Sequence, residues 1–429
     1  MALVGSQSRA EAINDRGQVV GWGGTVSGAF VWTRADGLID PGTLGGTYST
    51  ATAVNDKGQV VGASTLIANV NPHAFLWSRA DGMRDLGTLG GKTSWARNVN
   101  DNGQVVGESA TLDGSTHAFS WTAAGGMVDL GTFGGPESYA LAVNNKGQVV
   151  GWALDAALNA HAFSWTASGG MVDLGPGRAT AVANTGQVVG TTYNFGFQDA
   201  FSWTADAGMV VIGGLFLGHG GSAQAVNEHG QVVGESFANV PGARSHAFSW
   251  TAAGGIVDLG TLGGEHSWAT DVNNNGQVIG SSWTAAGSTH AFFWTPQTGL
   301  VDLGTLGGRE SIAVDVNDYG QVVGGSHTDE EAYSHATLWS LPVDVATAID
   351  ALTGRVASYN LPHGLTNALT VKLHAALASW QQGHSGTAIR QLGAFMQQVE
   401  AKRHKALTDS QAQALIATAQ TIVDAIQRG

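Results

Sequence analysis

With 429 residues, 43% of them hydrophobic, the chain has apolar material for one large domain and a small one. Its 63 glycines are about twice ordinary usage and its 12% charged residues about half, a combination that implies many tight turns between short strands. The formal charge of −14 divides into 12 Lys+Arg against 29 Asp+Glu over residues 1–344 and 7 against 4 over 345–429, so the first part repels phosphate backbones and nucleic acid is excluded as a natural partner.

No run of about 18 apolar residues is present to span a membrane, and Met1 to Gly5 is too short to read as a signal peptide. The absence of cysteine removes disulfides and thiolate metal sites without fixing a compartment.

From the N-terminus onward the string Gly-Gln-Val-Val-Gly, once with Ile, recurs at Gly17, Gly58, Gly103, Gly147, Gly186, Gly230, Gly276 and Gly320. The spacings of 39 to 46 residues suit a four-stranded propeller blade and exceed a β-helix coil. In the second repeat, Ala51 to Asn55 reads as a strand and Asn55-Asp56-Lys57-Gly58 as a turn in which glycine takes positive φ. Gln59 to Gly62 is its hairpin partner, His73 to Ser78 a third strand and Met83 to Gly87 a fourth, followed by the link Thr88-Leu89-Gly90-Gly91. The prediction is an all-β propeller of eight four-stranded blades over residues 1–344. Ring closure has two candidate forms: the spare Ala2-Leu3-Val4-Gly5 completes the last blade, or Leu341 to Val345 forms that strand alone.

Residues present in every repeat read as structural. Trp32, Trp77, Trp121, Trp165, Trp203, Trp250, Trp294 and Trp339, with Phe two residues earlier in seven of them, share one sheet face and read as inter-blade core. His73, His117, His161, His246, His290 and His335 hold one repeated position, expected to hydrogen-bond a neighbouring blade, not to ring a metal. The repeated Asp40, Asp85, Asp129, Asp173, Asp258 and Asp302 read as turn or blade-pinning acids.

A single site breaks symmetry, so chemistry is sought where repeats disagree. Ahead of the first strands stand Tyr48, Trp95, Tyr139 and Trp268, with Glu137, Glu265, His266, Arg309 and Glu310 close by; aromatic rings beside carboxylates suit sugar faces and hydroxyls. Directly after the repeated string come Trp22, Ala63, Glu108, Trp152, Thr191, Glu235, Ser281 and Gly325. Glu108 and Glu235 are candidate catalytic acids if the two carboxylates face one groove at glycosidase separation, and Glu137 and Glu265 are further candidates. The fifth repeat is the shortest, carries Asp199 in place of histidine after Tyr193 to Gln198, and has an altered link, Gly213 to Gly221; it reads as an opened pocket or as a drifted repeat. No phosphate loop, nucleophile elbow, zinc string or EF-hand loop occurs, and no cofactor or metal is expected.

From Val345 glycine becomes scarce and helical periodicity begins. Apolar stripes at Val345 to Val356, Leu365 to Trp380, Ile389 to Val399 and Leu415 to Ile426, the last after Thr408 or Asp409 as N-cap, predict a four-helix bundle over 345–429.

The unit His117-Ala118-Phe119-Ser120-Trp121 and its copies, with Asp258 to Gly264, resemble the bacterial HAF repeat across nearly all of residues 1–344. Residues 345–429 resemble the FIMAH domain of secreted bacterial proteins through Lys372-Leu373, Ala376-Leu377, Ala394-Phe395-Met396, Val399 and Leu407-Thr408, with Gln397 and Gln398 departing from the eponymous string. The resemblance implies export from a bacterium to its surface or surroundings and brings no catalytic set. The leading expectation is a binding module whose propeller loops recognise a carbohydrate or surface polymer, the helices serving as an attachment or protein-partner domain. A glycan-degrading hydrolase or lyase and an adhesive surface protein remain open beside it.

Overall fold

The computed structural model describes residues 1–429 apart from 25–27, 68–70, 195, 216–219, 238–243, 330–333, 341–344, 360 and 429. The chain divides into two compact units, one of residues 1–318 and 322–339, the other of 319–321 and 340–429. The first is mostly β and propeller-like; the second is helical.

Each Gly-Gln-Val-Val-Gly string begins the second strand of an antiparallel four-stranded unit. In the third such unit the strands are Gly90–Val99, Val105–Thr111, Thr116–Thr122 and Gly126–Asp129, paired in sequence order. The first strand is longer than the sequence suggests, because the linking glycines and the variable residues after them join its ladder. One strand, Gly170–Val182, serves as the fourth strand of one unit and the first of the next. In the last unit the outer strand comes from the other end of the chain: Ala2–Ser6 pairs antiparallel with Ser334–Ser340. The alternative closing segment rests mainly on 341–344, outside the described residues.

Two local devices explain the repeated string. Asn100 builds the turn, its side-chain oxygen accepting from the backbone N–H of Asn102 and Gln104, while Gly103 at φ +77° completes it. Every first strand also carries a bulge, between Ala96 and Asn98 in this unit, which presses its backbone against the second strand. A Cβ on Gly107 would lie 1.9 Å from the Trp95 carbonyl oxygen, so the closing glycine of the string is a close-approach residue.

The core lies between units. Val61 and Ala74 of one unit pack with Ala96, Val105, Phe119 and Trp121 of the next, and the same arrangement recurs around the domain, with seven phenylalanines fully buried. A buried serine rivets six of these contacts, the fifth and sixth units having Gly177 and Gly221 in its place: Ser94 accepts from the Ala74 N–H and donates to the Gly87 carbonyl. Ser8 does the same for Ala336 and Gly5, so Val4 takes the place that Leu86 has elsewhere.

No sheet closes on itself, but the turns do. Backbone N–H donates to the next unit's side-chain oxygen along Asp15, Asp56, Asp101, Asn145, Asn184, Glu228, Asn274 and Asp318, and from Asp318 back to Asp15, at 2.7–3.0 Å. A second circuit, from each turn asparagine to the next unit's turn carbonyl, is broken at Ala183, which has no amide to give.

The histidines differ from expectation. His73, His117, His161, His246 and His290 bond Asp85, Asp129, Asp173, Asp258 and Asp302 at 2.8–3.1 Å within their own unit. The third and fourth strands are adjacent, and this places the two side chains together. The acids also accept from a glycine N–H two residues on, which makes them turn acids as well. In the fifth unit Asp199 substitutes by accepting from Gly220 N–H.

The helical unit comprises α1 (Val345–Ser358), α2 (His363–Gln381), α3 (Ser385–Lys402) and α4 (Asp409–Arg428). Ile349, Leu352, Leu369, Leu373, Leu392, Phe395, Leu415 and Ile422 form one buried core. Thr408 caps α4 reciprocally: its hydroxyl accepts from Gln411 N–H, and Gln411 Oε1 accepts from Thr408 N–H.

Candidate functional site

The bulge aligns three positions that vary from unit to unit. The residue before the first-strand alanine is Arg9, Thr50, Trp95, Tyr139, Arg178, Ser222, Trp268 or Ile312. Its cross-strand partner is the residue after the repeated string, so Trp95 faces Glu108, Tyr139 faces Trp152, Arg178 faces Thr191 and Ser222 faces Glu235. The third position, two residues along the first strand, holds Glu11, Arg97, Gln224 and Thr270 in four units.

These positions meet in a cavity of about 330 Å³ lined by Arg9, Gln224, Glu235, Trp268, Ala269, Thr270, Ala313 and Val314. Four consecutive units, the sixth, seventh, eighth and first, supply its wall. The turn circuit lines a separate cavity of about 350 Å³.

Burial pushes the Glu235 carboxyl up, against the pull of His266. Burial likewise raises Glu11, opposed by Arg9 at 3.5 Å and by the Trp22 indole N–H, which donates to its carboxylate at 2.7 Å. Both acids are thereby biased towards the protonated form, which donates a hydrogen bond to an oxygen acceptor. His266 accepts from Ser245 and meets Trp283 edge-on at 4.4 Å; Trp283 is 40% exposed.

Units three to five build a different wall. Glu108, only 6% exposed, is held by Arg97 through Nε at 2.9 and 3.0 Å, and this hydrogen bond raises the guanidinium further. Tyr139 stacks on Trp152 at 4.4 Å and 22°, with the Arg178 guanidinium 4.3 Å from the centre of the Trp152 ring. Burial raises the Tyr139 hydroxyl, with Glu137 and Glu108 adding to it.

Of the expected site residues, Glu235 and Trp268 share the cavity, with His266 acting electrostatically on Glu235. Trp95 and Tyr139 occupy the register of Trp268, Trp95 beside Glu108. Tyr48 belongs elsewhere: it lies two residues ahead of that register, in the row of Glu137, His266 and Glu310, and is 45% exposed. Glu137 accepts from the Tyr139 hydroxyl at 3.4 Å. Glu310 is exposed, and Glu265, also exposed, approaches Arg244 at 3.9 Å. Reading the sequence misses Arg9, Glu11, Arg97, Arg178 and Gln224, although each breaks the repeat at an aligned position. The altered fifth link lies partly on 216–219, outside the described residues. Among the described residues, no group of three or more His, Asp or Glu is placed to hold a metal, and no helix is long and apolar enough to cross a membrane.

An indole face beside a carboxyl, a carboxamide, a hydroxyl and a guanidinium matches a polyol with apolar C–H faces and hydroxyl edges.

Residues 345–424 match the FIMAH domain. No curated protein matches the chain in sequence. Solved structures similar to it include the beta-propeller domain of the Trilobed protease from Pyrococcus furiosus, described as having an open velcro topology, at 9% identity and TM-score 0.47, covering 68% of this chain and 96% of that one. A puromycin-hydrolyzing peptidase from Mycobacterium tuberculosis is 11% identical at TM-score 0.42, over 79% of this chain and 55% of that one. TolB from Acinetobacter baumannii is 8% identical at TM-score 0.37, over 57% and 62%. Likenesses this distant say nothing of activity.

Proposed function

We propose that the eight units are the blades of a closed eight-bladed propeller, and that its axial funnel binds a carbohydrate outside a bacterial cell. The observation that carries the reading is the cavity in which Trp268, Glu235, Gln224, Thr270 and Arg9 converge from three units. Packing residues repeat from unit to unit, as Thr270 does with Thr52 and Thr180, each donating to the next unit's alanine carbonyl, whereas Arg9, Gln224, Glu235 and Trp268 break the pattern, and their chemistry is that of a sugar site. The eight-membered turn circuit supports closure, and the resemblance to the HAF repeat together with the FIMAH match supports export. The helical unit then serves as an attachment or protein-partner domain.

A second reading, a hydrolase or lyase, is favoured by the raised Glu235 carboxyl, which suits a general acid. Glu108 is less suited, since Arg97 occupies both its oxygens.

A glycan and polysaccharide array probed with the full chain, alongside an assay for reducing-end or unsaturated-sugar release, tests both. Binding without release is expected, weakened on the order of tenfold or more in Trp268→Ala while the melting temperature stays near that of the parent. Release would promote the enzyme. Binding indifferent to Trp268 would remove the funnel as its seat.

A further inference from the structure

The cations around the funnel are not equivalent. Arg97 is consumed by Glu108, and Arg9 stands 3.5 Å from Glu11. Elsewhere in the β domain Arg79 pairs with Asp36 and Arg244 lies near Glu265. Arg178 is exposed, occupies the register of Trp268 one strand into the fifth unit, and has no carboxylate partner among the described residues. Its guanidinium instead lies 4.3 Å from the centre of the Trp152 ring, itself stacked on Tyr139. Stacking holds the guanidinium on the ring without using its N–H donors. A planar donor fork that is fixed in place and lacks a counter-ion matches a carboxylate, which it binds bidentately.

The rest of the domain restricts what that carboxylate belongs to. Residues 1–344 carry 12 basic against 29 acidic side chains, a field that opposes a polyanion. Among the described residues Arg178 is the one arginine of that register without a carboxylate partner, and one such guanidinium in such a field suits one charge.

We propose that Arg178 on the Trp152–Tyr139 stack is a carboxylate subsite of the funnel, so that the ligand is a saccharide carrying a single uronic-acid group within an otherwise neutral chain. This rests on the saccharide reading above and adds the ligand class. Arg178 recognises the acidic group, and the Trp268 side recognises neutral sugar.

The test is titration calorimetry of the full chain against glucuronate-bearing oligosaccharides of xylan, β-glucan and galactan type, each paired with its carboxyl-reduced form. In at least one pair the acid form is expected to bind on the order of tenfold tighter, as charge-assisted hydrogen bonds imply. Arg178→Gln should erase that difference while leaving the reduced form's affinity unchanged, and Arg178→Lys should restore part of it, since the charge remains without the fork. Equal affinity within every pair, or equal loss for both members in Arg178→Gln, overturns the carboxylate subsite and leaves the saccharide reading standing. Polygalacturonate outcompeting every singly charged probe overturns the single-charge assignment. If no member of any pair binds, the saccharide reading fails, and this proposal fails with it.

Discussion

Removing residues 1–7 is expected to lower the stability of the β unit by about 4 kcal/mol. Burial of Val4 accounts for roughly 2 kcal/mol of this, and the two hydrogen bonds between Met1 and Leu338 for about 1 kcal/mol each. The loss is larger than that of an ordinary terminal strand because Val4 packs in the cluster that joins the eighth unit to the first, with Ala10, Ile13, Phe30, Trp32 and Leu338. Urea unfolding followed by tryptophan fluorescence measures it, and amide exchange should accelerate in Ser334–Ser340 ahead of the other third strands. An unchanged midpoint would mean that the eighth unit is complete without Ala2–Ser6. Val4→Ala is the milder check, lowering the midpoint by less.

The second large effect concerns pH. Six units hold Ala or Asn at the bulge position; the seventh and eighth hold Asp271 and Asp315. The two carboxyl groups hydrogen-bond each other deep within the domain. Asp271 also accepts from Val316 N–H, and Asp315 from Ile13 N–H at 2.8 Å, so the pair spans the contacts from the seventh unit to the eighth and from the eighth to the first. Burial drives both upward. Asp271 adds its charge to raise Asp315 well above the carboxylate range, and Asp318 adds to the rise of Asp271. A carboxyl whose folded pKa lies above its unfolded value stabilises the fold fully below the unfolded pKa and loses that contribution as pH rises through the folded one. The melting temperature is therefore expected to fall as pH rises from about 4 towards the alkaline side.

Asp315→Asn retains an acceptor for Ile13 and supplies a permanent donor to Asp271. It should match the parent in acid and exceed it by a few degrees at pH about 8, on a scale of about 2–4 °C per kcal/mol for domains of 150–250 residues. Parallel curves for the two proteins would show that the pair does not share a proton across the contact between the seventh and eighth units. Of the interfaces between consecutive units, this one also lacks its buried phenylalanine, replaced by Thr337, so less apolar packing compensates for the acids.

Much of the β architecture is legible because its punctuation is forced by sterics. The closing glycine of each repeated string exists where a first-strand carbonyl would otherwise meet a Cβ, and the turn asparagine recurs because its side chain both builds the turn and reaches the next unit. Register is less legible. Tyr48 and Trp95 both stand ahead of a first-strand alanine, but only counting back from the repeated glycine, 10 residues for Tyr48 and 8 for Trp95, shows that they fall in different rows. Partnership across strands is hidden for the same reason: the His–Asp pairs lie 12 residues apart and meet only because the third and fourth strands run side by side.

The candidate site was half visible. Looking where repeats disagree finds Trp268 and Glu235, and the same rule, applied to the first strand itself, reaches Arg178, Glu11 and the Asp271–Asp315 pair. What it cannot supply is which of these residues are neutralised. Arg97 and Arg178 are both arginines that break the repeat, at positions two residues apart, and only the structure sets Glu108 beside one and Trp152 beneath the other.

The most direct measurement is oxidative tryptophan footprinting of the full chain with and without a mixed bacterial and plant polysaccharide extract, read by mass spectrometry at each site. The funnel account predicts protection of Trp268, Trp152 and Trp95, with Trp32 and Trp121 unchanged in the core. Protection confined to Trp380 of the helical unit, or none at any tryptophan, would contradict it.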